Sequence, residues 1–187
     1  MNRQLSWILA ILFFLGALLI WRPFSSDEII ATDPQFREIP PDFIAEGLAT
    51  RVYNSSGQLE HRINATKMTH YSPIGLTELD NPVYQVRPDG QQETWQVVAE
   101  QGSFYDDKTL VLERNIVVTH LAADDYLERV ETSYLTIDTL AETMITDQPV
   151  TIFGKNFIVR GNGMIADLRA ETLELNEHVQ TTYSRNR

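Results

Sequence analysis

Apolar and polar residues alternate with a period of two along most of the chain beyond residue 45. Trp95, Val97 and Ala99 share one face of such a run, and Val150 and Ile152 share one face of another. A period of two places successive side chains on opposite faces of a strand, whereas a helix needs a period near 3.6. Helical periodicity is almost absent from this part of the chain. The pattern therefore predicts an all-β domain built from many short strands.

Turn-forming residues separate the alternating runs, at positions 54–57, 88–90, 106–108, 124–125 and 161–163. Aspartates at 106–107 and 124–125 are expected to hydrogen-bond the turn backbone, which is a structural role rather than a catalytic one. Arg160 before Gly161-Asn162-Gly163 predicts a strand end that enters a hairpin turn, because Asn and Gly tolerate positive φ. Strands of this length and spacing are typical of a β-sandwich or β-barrel.

A faint internal repeat narrows the choice of architecture. Four segments end alike, at Val83, Ile116, Val150 and Val179, with spacings of 33, 34 and 29 residues. Each unit can be interpreted as two strands joined by a polar turn, with a tight corner before the next strand. This regularity favours an open β-jelly roll over an immunoglobulin sandwich. Chance similarity among short β-hairpins is the alternative.

Residues 5–21 form an apolar run in which Ser6 is the only polar member. As a helix this run would be roughly 25 Å long, with Trp7 and Trp21 at the two interfaces. A poor cleavage site favours an uncleaved anchor over a signal peptide, and Arg3 before the run favours the bulk of the chain outside. We therefore expect a transmembrane anchor at 1–24, a Pro-rich linker at 25–45 and a β-domain at 46–187.

Composition excludes several classes of function. With 15 Lys and Arg against 26 Asp and Glu, the net charge of -11 argues against nucleic-acid binding, which needs clustered basic residues. The chain has no cysteine, so disulfides and thiolate zinc sites are excluded. It also lacks a nucleophile elbow, a His-Glu-x-x-His pair and a Gly-rich phosphate loop. The four histidines show no metal-ligand spacing. We expect no catalytic residue, no metal and no cofactor.

The apolar face of the sheet has two possible uses. In a tightly closed sandwich it is ordinary core, and the domain recognises or positions a protein partner. In a sandwich open along one seam, the same residues line a trough that keeps acyl chains from water. An open sheet also has edge strands that can accept a strand from a neighbour. The residues alone leave both uses open.

Several motifs together carry a family resemblance that covers nearly the whole chain. Besides the anchor and the Pro-rich arm, they are Val52-Tyr53-Asn54-Ser55-Ser56-Gly57, Asn81-Pro82-Val83, Thr94-Trp95-Gln96-Val97, Val150-Thr151-Ile152-Phe153-Gly154-Lys155-Asn156-Phe157 and Val179-Gln180-Thr181-Thr182-Tyr183. In order and spacing the chain resembles the LptC family, single-span subunits of the Gram-negative lipopolysaccharide export machinery. The arm itself, rich in proline, matches the family pattern poorly.

The resemblance implies a transport role without catalysis. It implies an OstA/LptA-like open β-jelly roll in the periplasm, anchored by one span in the cell inner membrane beside an ABC transporter composed of LptB, LptF and LptG. The transporter hydrolyses ATP and extracts lipopolysaccharide, and the β-domain passes this lipid to the periplasmic bridge protein LptA. The alternative is a membrane-tethered β-domain that acts only as a protein-binding sensor or assembly module.

Candidate site residues follow from the alternation and from this resemblance. The alternation predicts that the groove interior is formed by Leu79, Trp95, Val97, Phe104, Leu112, Ile116, Val118, Ile152, Phe157 and Val159. The resemblance implies a partner interface formed by Leu48, Val52, Tyr53, Gly57, Gly154, Leu173, Leu175, Val179 and Tyr183. The edge at 48–53 is expected to face the transporter and the edge at 173–183 to face LptA. Gly57 is expected at positive φ, and Gly154 at a bulge or close backbone approach.

Overall fold

The computed structural model describes residues 39–88, 94–121 and 126–183. The predicted anchor at 1–24, most of the predicted linker at 25–45 and the predicted turn at 124–125 lie outside these residues. Within the described part of the chain, no helix has the length and apolar character needed to span a membrane.

The described residues form a single sheet of eleven strands, which confirms the prediction of an all-β domain. One short 3-10 helix, Ser72–Ile74, interrupts the run of strands. The strands are β1 (Phe43–Tyr53), β2 (Leu59–Tyr71), β3 (Leu76–Asp80), β4 (Val83–Val86), β5 (Trp95–Val98), β6 (Gln101–Tyr105), β7 (Thr109–His120), β8 (Leu127–Asp138), β9 (Thr143–Gly154), β10 (Phe157–Asp167) and β11 (Thr172–Tyr183).

The sheet is an antiparallel meander of long, bent strands. Strand β2 pairs with β4 along its first half and with β3 along its second half. Strand β7 likewise pairs with β6 along its first half and with β5 along its second. Strands β3 and β4 therefore act as one long strand broken at a corner, and so do β5 and β6. Every long strand after β1 lies beside its sequence neighbours and bends near its middle.

The internal repeat marks these bends. Val83, Ile116, Val150 and Val179 directly follow the bends of β3–β4, β7, β9 and β11. Several non-glycine residues just before them have positive φ, namely Asn81, Arg114, Asn115 and His178. The bends that the repeat marks fall on every second strand of the meander. Each repeat unit therefore spans one hairpin, that is, two strands. This agrees with the interpretation of each unit as two strands and a corner.

The hairpin turn predicted at 161–163 is wrong. These residues lie inside β10, whose pairing continues on both sides of a register shift between Arg160 and Asn162. Gly163 has a φ of +71°, and a Cβ there would lie 2.7 Å from Asn176 Nδ2. Glycine and asparagine suit an irregular stretch of a strand beside a bulge as well as a hairpin turn, so composition does not distinguish the two.

The first strand begins before residue 46, where the sequence predicts that the β-domain starts. Strand β1 starts at Phe43, which pairs with His70 of β2 and packs against its ring at a centroid distance of 5.2 Å. Just before it, the Asp42 carboxylate accepts a 2.6 Å hydrogen bond from the Ser72 backbone N–H. That hydrogen bond lowers the pKa of Asp42 from its usual value of 3.8. The end of the predicted linker is thus part of the sheet.

The bends divide the sheet into two half-sheets whose buried residues form one hydrophobic core. Val97, Val118 and Val130 contribute from the first, and Leu110, Leu135 and Ile137 from the second. The first half-sheet comprises residues 59–64, 83–86, 95–98, 117–120, 127–132, 150–154, 157–160 and 179–183. The second half-sheet comprises residues 66–71, 76–80, 101–105, 109–113, 135–138, 143–146, 164–167 and 172–175.

Candidate functional site

A cavity of about 250 Å³ lies between the half-sheets near β9, β10 and β11. Apolar side chains of both half-sheets form most of its wall. The lining residues are Trp95, Val118, His120, Leu127, Val130, Met144, Met164, Ala166, Asp167, Leu168, Glu171, Thr172 and Leu173. The cavity is therefore an extension of the core that the strands leave partly unfilled.

The residues predicted for the groove interior are all buried in the core or packed against it. Trp95 and Val118 line the cavity itself. Leu79, Val97, Leu112, Ile116 and Ile152 are buried in the core but do not line the cavity, and Phe104, Phe157 and Val159 are half-buried against the core. The alternation identifies inward-facing side chains, but it does not separate a cavity wall from closed core. Their role toward a lipid stays a prediction.

Several lining residues escaped the sequence analysis. Met164 and Ala166 lie on the second half of β10, beyond the segment predicted as a hairpin turn, and Leu168 directly follows that strand. Their spacing of two was the signal that could have identified them. Leu173, which was predicted at a partner interface, also borders the cavity.

Stacked aromatic rings and methionine side chains form much of the cavity wall. The rings of Trp95 and His120 stack at a centroid distance of 4.4 Å, with an angle of 25° between their planes. Opposite them, Met144 and Met164 supply unbranched, polarizable thioethers that adapt to irregular shapes. The acidic lining residue Asp167 is engaged as a turn cap, since its Oδ1 accepts the backbone N–H groups of Arg169 and Ala170. The described wall of the cavity is therefore mostly apolar.

The part of the core around β2 and β4, the closed side, is filled by the Tyr84 side chain. Tyr84 is almost fully buried, and its hydroxyl lies 2.9 Å from His61 Nδ1. Burial raises the pKa of Tyr84 above the usual value of 10.0, and the nearby carboxylates of Glu142 and Glu60 raise it further. The Tyr84 phenol is therefore neutral and able to hydrogen-bond.

The sheet ends in two edge strands at opposite ends of the strand order. Among the described strands, β1 pairs with β2 alone and β11 pairs with β10 alone. Val52 and Tyr53 on β1, and Val179 and Tyr183 on β11, are exposed. Leu48 and Leu175 instead pack against the core. Each edge therefore combines a row of unpaired backbone groups with exposed apolar side chains.

Strand β11 carries a bulge that the sequence did not suggest. His178 has a φ of +55°, and the pairing with β10 shifts between Glu177 and Gln180. The bulge splits the edge into two straight portions, because it locally interrupts the ladder. A bulge is one way in which natural sheets limit uncontrolled pairing at an edge.

The two glycines predicted at the interface occupy different environments. Gly57 closes the β1–β2 turn at a φ of +78°, as expected, and a Cβ there would meet open space. Gly154 lies at the end of β9, where a Cβ would collide with the Phe157 ring and lie 2.6 Å from the Tyr126 carbonyl oxygen. The close approach predicted at Gly154 is confirmed. A partner role for either glycine stays a prediction.

Comparison with known proteins identifies a matching family over nearly the whole chain. The family model described as "Lipopolysaccharide-assembly, LptC-related" matches residues 8–184. A lipopolysaccharide export system protein LptC of Escherichia coli K12 is 29% identical over 143 residues, which is 76% of this chain and 75% of the relative. The protein of the same name from Haemophilus influenzae is 26% identical over 160 residues, covering 76% of this chain and 77% of the relative.

Proposed function

The chain belongs to the LptC family of lipopolysaccharide-assembly proteins, and from this premise we propose that it carries lipopolysaccharide between export components. It accepts the lipid that an inner-membrane ABC transporter extracts, and it passes the lipid to the periplasmic bridge protein LptA. The relatives' names, which specify lipopolysaccharide export, support this proposal. In it, LptB supplies the energy by hydrolysing ATP, and this chain has no catalytic step of its own.

The apolar cavity between the half-sheets is the observation that carries the proposal. Its wall brings together Val118 and Val130 of the first half-sheet with Met144 and Met164 of the second. Acyl chains leave water for such a surface because burial of apolar area is favourable, by roughly 25 cal/mol per Å². The position beside edge strand β11 suits transfer to a neighbour, because a lipid can leave along the same seam.

The size of the cavity adds a mechanical requirement. At about 250 Å³ it lies below the range of about 300–1,000 Å³ that is usual for pockets that enclose drug-sized ligands. A lipid with several acyl chains is larger still. Loading therefore requires the half-sheets to separate near β10 and β11, while the bends keep the strands continuous.

The two edges give the carrier a direction. We assign β1 to the LptF/LptG side of the transporter and β11 to LptA, with backbone hydrogen bonds supplying affinity. Edge-to-edge addition would align the cavity with that of the neighbour. In this arrangement residues 1–24 anchor the chain in the inner membrane and the β-domain lies in the periplasm.

Site-specific photocrosslinking tests the lipid path with a matched pair of neighbours. Met144 faces the cavity and is 1% exposed, whereas Ile145 is 48% exposed. In membranes that contain the transporter, a crosslinker at Met144 should capture lipopolysaccharide when ATP is supplied. The same group at Ile145 should capture little. Capture of protein alone from Met144 would contradict the carrier and favour the tethered assembly module.

Matched charge substitutions test the assignment of the edges. Val179→Asp on β11 should weaken capture of LptA and spare association with the transporter. Val52→Asp on β1 should show the opposite pattern. Both side chains are exposed, so the full-length variants should retain the fold. Reversed losses would show that the polarity is backwards, and equal losses would contradict separate edges.

A further inference from the structure

Three potential metal ligands gather at the closed side of the core, next to residues that line the cavity. Glu60 and His61 come from β2, and Glu142 comes from the turn between β8 and β9. One ligand atom from each residue lies within 4.8 Å of the others, and His61 Nε2 is 3.9 Å from Glu60 Oε1. The sequence showed no metal-ligand spacing because Glu142 reaches the pair only through the tertiary fold.

Glu142 is held in place by its turn. The Asp138 carboxylate caps the turn by accepting the backbone N–H groups of Leu140 and Ala141, and Glu142 follows at a φ of +57°. The Glu142 carbonyl accepts the Leu168 backbone N–H at 3.0 Å. Its Oε2 accepts a 2.7 Å hydrogen bond from Arg169 Nε. Backbone and side chain are thus both fixed.

The other carboxylate oxygen of Glu142 is an unusual feature of this core. The Glu142 side chain is 0% exposed, and its Oε1 has no hydrogen-bond partner among the described residues. Leaving a buried charged acceptor unsatisfied costs more free energy than leaving a neutral one unsatisfied. An ordered water or a bound ion is one way in which a buried polar atom of this kind is satisfied.

His61 is oriented to supply the nitrogen ligand. Its Nδ1 lies 2.9 Å from the hydroxyl of Tyr84, and its Nε2 lies 3.9 Å from Glu60 Oε1. In the tautomer whose Nδ1 proton is donated to Tyr84 Oη, the Nε2 lone pair can bind a cation that lies between His61 and the carboxylates. A hydrogen bond from the second ring nitrogen is the usual arrangement of a metal-binding histidine.

We propose that Glu60, His61 and Glu142 bind a divalent transition-metal cation of the zinc class. An imidazole and two carboxylates suit zinc, with water at the fourth tetrahedral position. Mg²⁺ and Ca²⁺ prefer oxygen ligands alone and in larger number. Zinc ligands lie about 3.4 Å apart in a tetrahedron, so the observed separations need to close by less than about 1.5 Å. Glu60 and His61 are 22% and 12% exposed, which gives the cation a route from solvent.

A cation at this position would join the half-sheets. Glu60 and His61 belong to the first half-sheet, while Glu142 belongs to the turn that ends the second. Metal binding that requires the folded arrangement adds its free energy to folding. The site would therefore hold the two half-sheets together beside Met144 and Leu168, two residues of the cavity wall.

Zinc titration of the full-length protein in detergent, after chelator treatment, tests the proposal. Calorimetry should detect one Zn²⁺ equivalent at this site, and zinc should raise the melting temperature, whereas Mg²⁺ should not. Glu60→Gln alters a solvent-accessible ligand and should weaken zinc binding by about tenfold or more. Glu142→Gln should do the same, with its unfolding curve measured beside it.

The exposed pair on β11 provides the control. His178 Nδ1 lies 3.7 Å from Glu177 Oε2, so this pair resembles His61 and Glu60, but no third ligand joins it among the described residues. His178→Gln should leave the zinc affinity and the zinc-induced stabilisation unchanged. The proposal is overturned if His178→Gln weakens zinc binding as much as Glu60→Gln does. It is also overturned if the wild type and Glu60→Gln bind zinc equally.

Discussion

The closed side of the core and the cavity side differ although both are built from the same bent strands. At the closed side, Tyr84 fills the space between the half-sheets and the β8–β9 turn brings Glu142 over it. At the cavity side, Met144, Met164 and Ala166 leave about 250 Å³ beside the terminal strand. The strand topology alone therefore does not decide whether side chains fill the space between the half-sheets.

The number of neighbouring strands explains much of this difference in packing. Strand β11 is exposed along almost its whole length, and Phe157 and Val159 of β10 are only half-buried. The core residues of β4 and β7, in contrast, have neighbours on both sides in the sheet. A strand without a neighbour buries less area and separates from its layer at lower cost. The comparison predicts a rigid closed side and a deformable cavity side.

Leucine truncation should give the largest contrast between the two sides. Leu112 is 0% exposed in the core, while Leu173 beside the cavity is 37% exposed. Leu112→Ala should lower the free energy of unfolding by about 2–5 kcal/mol, because it leaves a cavity in closely packed surroundings. Leu173→Ala should cost less than about 1 kcal/mol. Denaturant unfolding of both variants provides the measurement, and equal losses would contradict the difference in packing.

Alanine substitution of the two glycines predicted at the interface should distinguish a steric loss of stability from a loss caused by backbone conformation. Gly154→Ala places a methyl group against Phe157 and the Tyr126 carbonyl, so it should destabilise the domain by about 1–3 kcal/mol. Gly57→Ala meets open space and should cost about 1 kcal/mol through its positive φ alone. Thermal unfolding measures both losses. A larger loss of stability for Gly57→Ala than for Gly154→Ala would show that the β9–β10 turn rearranges to accommodate the added methyl group.

Alkaline pH should weaken the closed side through Tyr84. Because the pKa of Tyr84 is raised in the folded state, its contribution is complete below the usual tyrosine value of 10.0 and declines as the pH rises above it. The melting temperature should fall in that range. Tyr84→Phe should reduce the slope of this fall, although it also removes the hydrogen bond to His61. An unchanged slope would mean that other groups control alkaline unfolding.

Acidic pH should reveal the smallest effect, at the start of β1. The pKa of Asp42 is lowered mainly by the Ser72 backbone N–H, so its stabilisation is present above 3.8 and declines as the pH falls through the lowered value. The melting-temperature difference between the wild type and Asp42→Asn should therefore be positive near neutral pH and shrink in acid. Serial melting curves of both proteins measure it. A difference independent of pH would indicate that the carboxylate charge is not involved.

The alternation from residue 46 onward was sufficient to predict an all-β domain, and the repeat at Val83, Ile116, Val150 and Val179 located the bends. These are local signals, since strand periodicity and positive-φ residues depend on neighbours along the chain. Inward orientation of Val97 and Ile152 followed from the same period of two. The predicted function came from the family resemblance, because the periodicity of the sequence predicts strands and not what the protein binds.

Other features depended on contacts between residues distant in sequence. Residues 161–163 suit either a hairpin turn or an irregular stretch of a continuing strand, and only the pairing of β10 with β9 and β11 selects the continuing strand. The boundary between cavity and closed core depends on side chains from opposite half-sheets, as Met144 and Trp95 illustrate. Glu142 reaches His61 because a turn folds over the core. The sequence by itself determined the strands and their bends, whereas the tertiary structure decided which buried residues meet, because packing volume is shared among elements far apart in the chain.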